Sequence, residues 1–141
     1  RLHTGGWWGH GEPVQISAVP GLGSKKVGKI SNVRFSHLTL TGDEGLVFYG
    51  SKESILQGIV LDDVDLTLRR GVLSDSYGGN IDLRPVNDLS IAIFRHDIPA
   101  VFAHDVNRLE IRNLSIHRDG NLPAYFKGGV ICDACTNSTI K

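Results

Sequence analysis

Three segments of the chain repeat one pattern: apolar, any, apolar, two polar, apolar, any, apolar. They are Val33-Arg34-Phe35-Ser36-His37-Leu38-Thr39-Leu40, Ile59-Val60-Leu61-Asp62-Asp63-Val64-Asp65-Leu66 and Leu109-Glu110-Ile111-Arg112-Asn113-Leu114-Ser115-Ile116. Each half alternates with a period of two, the signature of a strand with one buried face. The polar pair shifts the phase, which predicts a corner between two short strands. His37, Asp63 and Asn113 share one place in the three units, where a corner residue can bond to local backbone. Ile59 follows Val33 by 26 positions, and Leu109 follows Ile59 by 50, read as twice 25. A partial copy, Leu89-Ser90-Ile91-Ala92-Ile93, lies between them, and another begins near Asn137-Ser138-Thr139-Ile140. A period in the twenties, built of strands and without helical spacing, predicts an all-β solenoid. One unit cannot bury its own apolar face, whereas stacked units share a core.

A second strand type accompanies the repeat: Gly45-Leu46-Val47-Phe48-Tyr49, Pro99-Ala100-Val101-Phe102-Ala103 and Gly129-Val130-Ile131-Cys132. These segments predict a second sheet. Gly, Pro, Asp, Asn and Lys gather in the stretches 5–11, 20–28, 70–80 and 117–128, which read as loop insertions. In a solenoid such loops emerge on one side and shape a binding face. Residues 1–141 therefore read as one solenoid domain. Neither end shows a cap, so the chain is expected to be a C-terminal piece of a larger β-solenoid. Its ends would stack on the missing units or self-associate through exposed sheet edges.

Composition narrows the function classes. Apolar residues make up 40% of the 141 positions, enough for a core, and no run is long enough to span a membrane as a helix. Lys and Arg number 15, as do Asp and Glu, and no basic stripe of the kind that binds nucleic acid occurs. The chain opens on Arg1 without a signal-like apolar run, so its N-terminus does not report on export. Cys132 and Cys135 form a C-x-x-C without a second pair. The pair reads first as two ordinary thiols, then as a disulfide, then as redox or metal chemistry.

Four groups of residues carry candidate chemistry. His10 sits between glycines, and Glu12 beside it could hydrogen-bond or take a proton. Trp7 and Trp8 offer indole faces that stack on sugar rings. Asp43 and Glu44, with Asp82 further on, are the carboxyl groups that sugar hydrolysis would require in facing pairs. Each reads first as a turn or surface residue. Arg95-His96-Asp97 and His104-Asp105 place His beside Asp, although neighbours along a strand seldom hydrogen-bond usefully. No cofactor or metal is expected.

Three stretches together resemble a known family. They are Gly9-His10-Gly11-Glu12-Pro13-Val14-Gln15-Ile16-Ser17, Lys29-Ile30-Ser31-Asn32-Val33-Arg34-Phe35 and Asp43-Glu44-Gly45-Leu46-Val47-Phe48-Tyr49. Their order and spacing resemble the distant bacterial branch of the polygalacturonase-like glycoside hydrolases, family 28. The resemblance implies a right-handed parallel β-helix of the pectin-lyase type, of about five coils here. It implies inverting hydrolysis of a polysaccharide, with His10 as the active-site histidine. It implies secretion or a periplasmic location, and substrate contacts from Trp7, Trp8, Glu12, Asp43, Glu44 and Tyr49. The family's catalytic aspartates precede the Gly-His-Gly, which puts them upstream of this chain. Val47, Phe48 and Tyr49 occupy the place of the family's Arg-Ile-Lys, so both cationic contacts to an acidic sugar are absent. The competing expectation is a carbohydrate-binding or structural solenoid without chemistry. Two lesser ones are a lyase or epimerase on the same fold and an assembly or viral fibre element.

Overall fold

The computed structural model describes residues 12–19, 26–71 and 98–141. Eight strands follow one another: β1 (Gln15–Ser17), β2 (Ser31–Gly42), β3 (Leu46–Tyr49), β4 (Leu56–Arg69), β5 (Val101–His104), β6 (Val106–Asp119), β7 (Val130–Asp133) and β8 (Thr139–Ile140). Odd strands form one sheet in the order β1-β3-β5-β7, and even strands form the other in the order β2-β4-β6-β8. Every pairing between these strands is parallel. The chain thus alternates between two parallel sheets, an all-β packing of solenoid type.

The register follows the apolar repeat. Val33 faces Ile59, which faces Leu109, and Phe35 faces Leu61, which faces Ile111. A slip by one residue would turn every one of these side chains to solvent. The offset of 50 is corrected by this register. β4 pairs directly with β6, so the offset separates neighbours rather than units two apart. Equal length and matching apolar positions let β4 and β6 zip together over nearly their whole span, whatever chain lies between. The partial copy at 89–93 lies outside the described residues, as do Trp7, Trp8, His10, Asp82, Arg95, His96 and Asp97. A second difference concerns 117–128, expected as a loop. β6 runs on to Asp119, because His117, Arg118 and Asp119 pair with Thr67, Leu68 and Arg69.

The phase shift inside each long strand has a backbone cause. His37, Asp63 and Asn113 all have positive φ, of 54°, 58° and 51°. A single left-handed residue turns the strand and reverses which parity faces inward, and Asn, Asp and His tolerate that conformation best after Gly. Two of these side chains meet across units rather than bonding to local backbone: His37 Nδ1 lies 2.7 Å from Asp63 Oδ2. A second row of left-handed residues was not foreseen. Asn32, Gly58, Arg108 and Asn137 have φ of 56°, 68°, 61° and 52° and stand just before the second-sheet repeat. Beside them Asn107 Nδ2 donates to Gln57 Oε1 at 2.7 Å, and Thr136 and Asn137 donate to Asn107 Oδ1. This polar row ties adjacent units through side chains.

The core lies between the sheets. Leu56, Ile59, Leu61, Val64, Leu66 and Leu68 of β4 are all at most 1% exposed, since β4 is covered by a strand on each side. Each such side chain contributes about 1.5–3 kcal/mol relative to exposure. In β6, Leu109 and Ile111 are buried, but Leu114 and Ile116 are only half-buried. The difference is that β8 pairs with Glu110 and Ile111 alone. Phe35 of the second sheet meets Phe48 of the first, with ring centroids 6.1 Å apart. Outward residues form ion pairs across strands, among them Arg34 with Asp62 at 3.0 Å and Arg112 with Asp62 at 3.8 Å.

Candidate functional site

Strand β3 is four residues long, and a glycine closes each end. A Cβ on Gly45 would fall against the Pro99 carbonyl oxygen, and one on Gly50 against the Asp105 carbonyl oxygen. The next unit's backbone therefore passes close to both ends. It hydrogen-bonds there, from Leu46 N to Ala100 O at 2.8 Å and from Gly50 N to His104 O at 2.7 Å. Two polar clusters form at these ends, and they have opposite character.

The first cluster gathers Glu12, Asp43 and Glu44. Asp43 and Glu44 occupy the turn between β2 and β3 and are buried, Glu44 completely. Burial pushes the Glu44 carboxyl well above its usual range, and the charge and hydrogen bond of Glu12 and the charge of Asp43 push the same way. A carboxyl held toward its protonated form can donate to a neighbouring carboxylate, and Glu12 is the carboxyl beside Glu44. Asp43 faces a cation, with Arg69 Nε 3.4 Å from its Oδ1. Gly71 leaves room for that carboxylate, since a Cβ there would overlap it. Asp43 and Glu44 thus lie beneath the surface, with Glu12 half-buried beside them.

The second cluster lies on the outer face of the first sheet. Alternation along β3 and β5 turns Leu46, Phe48, Val101 and Ala103 toward the main core, while Val47 and Phe102 form a separate small cluster with Tyr49 against it. Register sets Tyr49, His104 and Asp133 side by side. The Tyr49 and His104 rings stack with centroids 4.6 Å apart and planes 20° apart. Asp133 Oδ2 lies 2.8 Å from His104 Nδ1, and Asp105 Oδ2 lies 3.3 Å from His104 Nε2. The second contact is between chain neighbours and was not expected. It arises because Asp105 has a φ of 48°, which ends the strand and swings its carboxylate back to the ring. Burial, then Asp105, then Asp133, pushes the Tyr49 phenol up. His104 and Asp105 side chains keep 24% and 16% of their surface, and Asp133 keeps 64%, so a ligand can reach this group from outside.

Asp133 was missed in the sequence. Its signal was present, since Asp133 follows His104 by 29 positions at the end of an equivalent strand, but it needed the pairing register to be seen. A shallow groove of about 480 Å³ also crosses the second sheet, lined by Asn32, Arg34, Gly58, Arg108, Glu110 and Thr139 among others. It is polar and lacks an aromatic platform. Among the described residues no three or more His, Cys, Asp or Glu side chains gather so as to hold a metal ion.

Compared with family models, with curated proteins and with solved structures, the chain matches none. The fold and the site themselves define an all-β protein of solenoid type, with two parallel four-stranded sheets. Its burial pattern leaves a partly exposed aromatic and polar row on one sheet face.

Proposed function

We propose that the protein is a carbohydrate-binding β-solenoid whose ligand face is the Tyr49, His104 and Asp133 row. The observation that carries this reading is the Tyr49–His104 stack with a carboxylate at each imidazole nitrogen. Sugar rings bind through apolar faces on aromatic rings and through hydroxyls donated to fixed acceptors. Tyr49 supplies the ring, and Asp105 and Asp133 supply acceptors already held in place by His104. Two carboxylates disfavour an acidic sugar, so neutral oligosaccharides are the expected ligands. Trp7 and Trp8 would extend the aromatic platform. Residues 1–141 are read as one right-handed parallel β-helix of about five coils with loop insertions. Calorimetry with neutral oligosaccharides tests the reading: binding by the chain and loss of binding in Tyr49→Ala support it. No binding across a broad neutral panel overturns it.

One observation favours a second reading, a polygalacturonase-like glycoside hydrolase or its C-terminal portion. Glu44 is held toward its protonated form beside Glu12 and Asp43, and a protonated carboxyl is what a general acid provides. His10 and upstream aspartates would complete such a centre. Release of reducing ends from a glycan, abolished in Glu44→Gln, supports this reading. Binding without turnover by the full-length protein returns the choice to a binding solenoid.

A further inference from the structure

The Cys132-Asp133-Ala134-Cys135 segment joins the candidate site to a pair of thiols. Cys132 is the register partner of Ala103, and Cys135 Sγ lies 3.6 Å from the Ala103 carbonyl oxygen. Both cysteines thus meet the preceding unit at one backbone position, Cys132 through its register and Cys135 through its sulfur. The chain bends between them at Ala134, whose φ is 51°. Disulfides require Cα atoms within about 7 Å and side chains that point together, and a left-handed bend inside a three-residue separation turns the chain back in the direction such a bond needs. The two thiols are free, Cys132 exposed and Cys135 partly covered. Asp133, between them, is the residue that holds His104 Nδ1 at 2.8 Å.

We propose that Cys132 and Cys135 form an oxidisable pair, closed to a disulfide by a low-molecular-weight disulfide, and that the closed loop fixes Asp133 against His104. The order of attack follows from their surroundings. Burial, then the hydrogen bond and charge of Cys132, push the Cys135 thiol up to about 12, so it is a poor thiolate. Cys132 is the accessible sulfur and attacks first. Its thiolate bonds to one sulfur of the oxidant, and one small thiolate leaves. Cys135 then gives its proton to solvent, and its sulfur attacks Cys132 in the mixed disulfide, releasing the second small thiolate. Two cysteine thiols are oxidised to one cystine, and one small disulfide is reduced to two thiols. The consequence for His104 is mechanical: a four-residue ring leaves Asp133 fewer backbone conformations than an open corner does.

The test treats the full chain with glutathione disulfide and follows it by intact mass and by alkylation. The expected product has lost two hydrogens, resists alkylation at both cysteines and regains both on reduction. The His104 ring resonances are expected to differ between oxidised and reduced chain, and to stay unchanged by the oxidant in a Cys132→Ser/Cys135→Ser variant. A stable glutathione adduct, an intermolecular disulfide, or continued alkylation of both cysteines would overturn the proposed bond. A closed disulfide with unaltered His104 resonances would overturn its link to Asp133. Neither readout depends on whether a sugar binds.

Discussion

The two ends of the four-residue strand β3 carry the same kinds of groups, yet they behave differently. At the Glu44 end, Asp43 and Glu44 are buried beside Glu12, and the chain answers by holding Glu44 toward its protonated form and setting Arg69 beside Asp43. At the Tyr49 end, two carboxylates flank an imidazole on a partly exposed face. The lesson is that position across the sheet, more than residue type, decides what an acidic group does. Inside, a carboxyl must be neutralised, paired or left at a cost of several kcal/mol. Outside, the same carboxyl keeps its charge and spare lone pairs for a ligand.

The largest expected effect removes what both ends share. Phe48→Ala opens a cavity beneath β3 and against Phe35, and should cost about 3–5 kcal/mol in chemical denaturation. Tyr49→Ala or His104→Ala should leave that stability nearly intact while weakening binding of a neutral oligosaccharide about tenfold or more, read by calorimetry. If either variant lost stability as Phe48→Ala does, the two ends would not be separable in this way.

The Glu44 end has a signature in pH. Glu44 in the folded chain holds its proton more tightly than in the unfolded chain, whose carboxyl lies near 4.5. At this site the folded state binds more protons than the unfolded one, so the Glu44 contribution to stability is fully present below that value and is lost as pH rises through the folded one. Glu44→Gln has no proton to lose. Its stability should therefore lack the decline that the parent chain shows in thermal melts as pH rises above 4.5. Smallest of all should be Arg34→Ala on the second sheet. That exposed pair with Asp62 should change stability by only about 0–1 kcal/mol and leave sugar binding unmoved.

Much of the architecture was legible because it rests on alternation. The apolar positions at Val33, Ile59 and Leu109 named the strands, their register and the corners at His37, Asp63 and Asn113, since parity alone decides which face is buried. The order of units was less legible. An offset of 50 cannot distinguish an intervening unit from an insertion, and only the direct pairing of β4 with β6 decides. The row at Asn32, Gly58, Arg108 and Asn137 escaped because Arg has little preference for a left-handed backbone, so composition gave no signal there. Asp43 and Glu44 were singled out as a carboxyl pair, but neither their burial nor the approach of Glu12 was legible, because a turn between two strands usually faces solvent. His104 and Asp133 were separated by a whole unit of chain, and only stacking joins them.

The central claim is that ligand chemistry resides on the Tyr49, His104 and Asp133 row. A nuclear magnetic resonance titration of the chain with neutral oligosaccharides locates any bound sugar directly. The predicted result is saturable shifts at Tyr49, His104, Asp105 and Asp133, with Arg34, Asp62 and Glu110 on the second sheet unperturbed. Shifts confined to the second sheet, or none at any attainable concentration, would contradict the account.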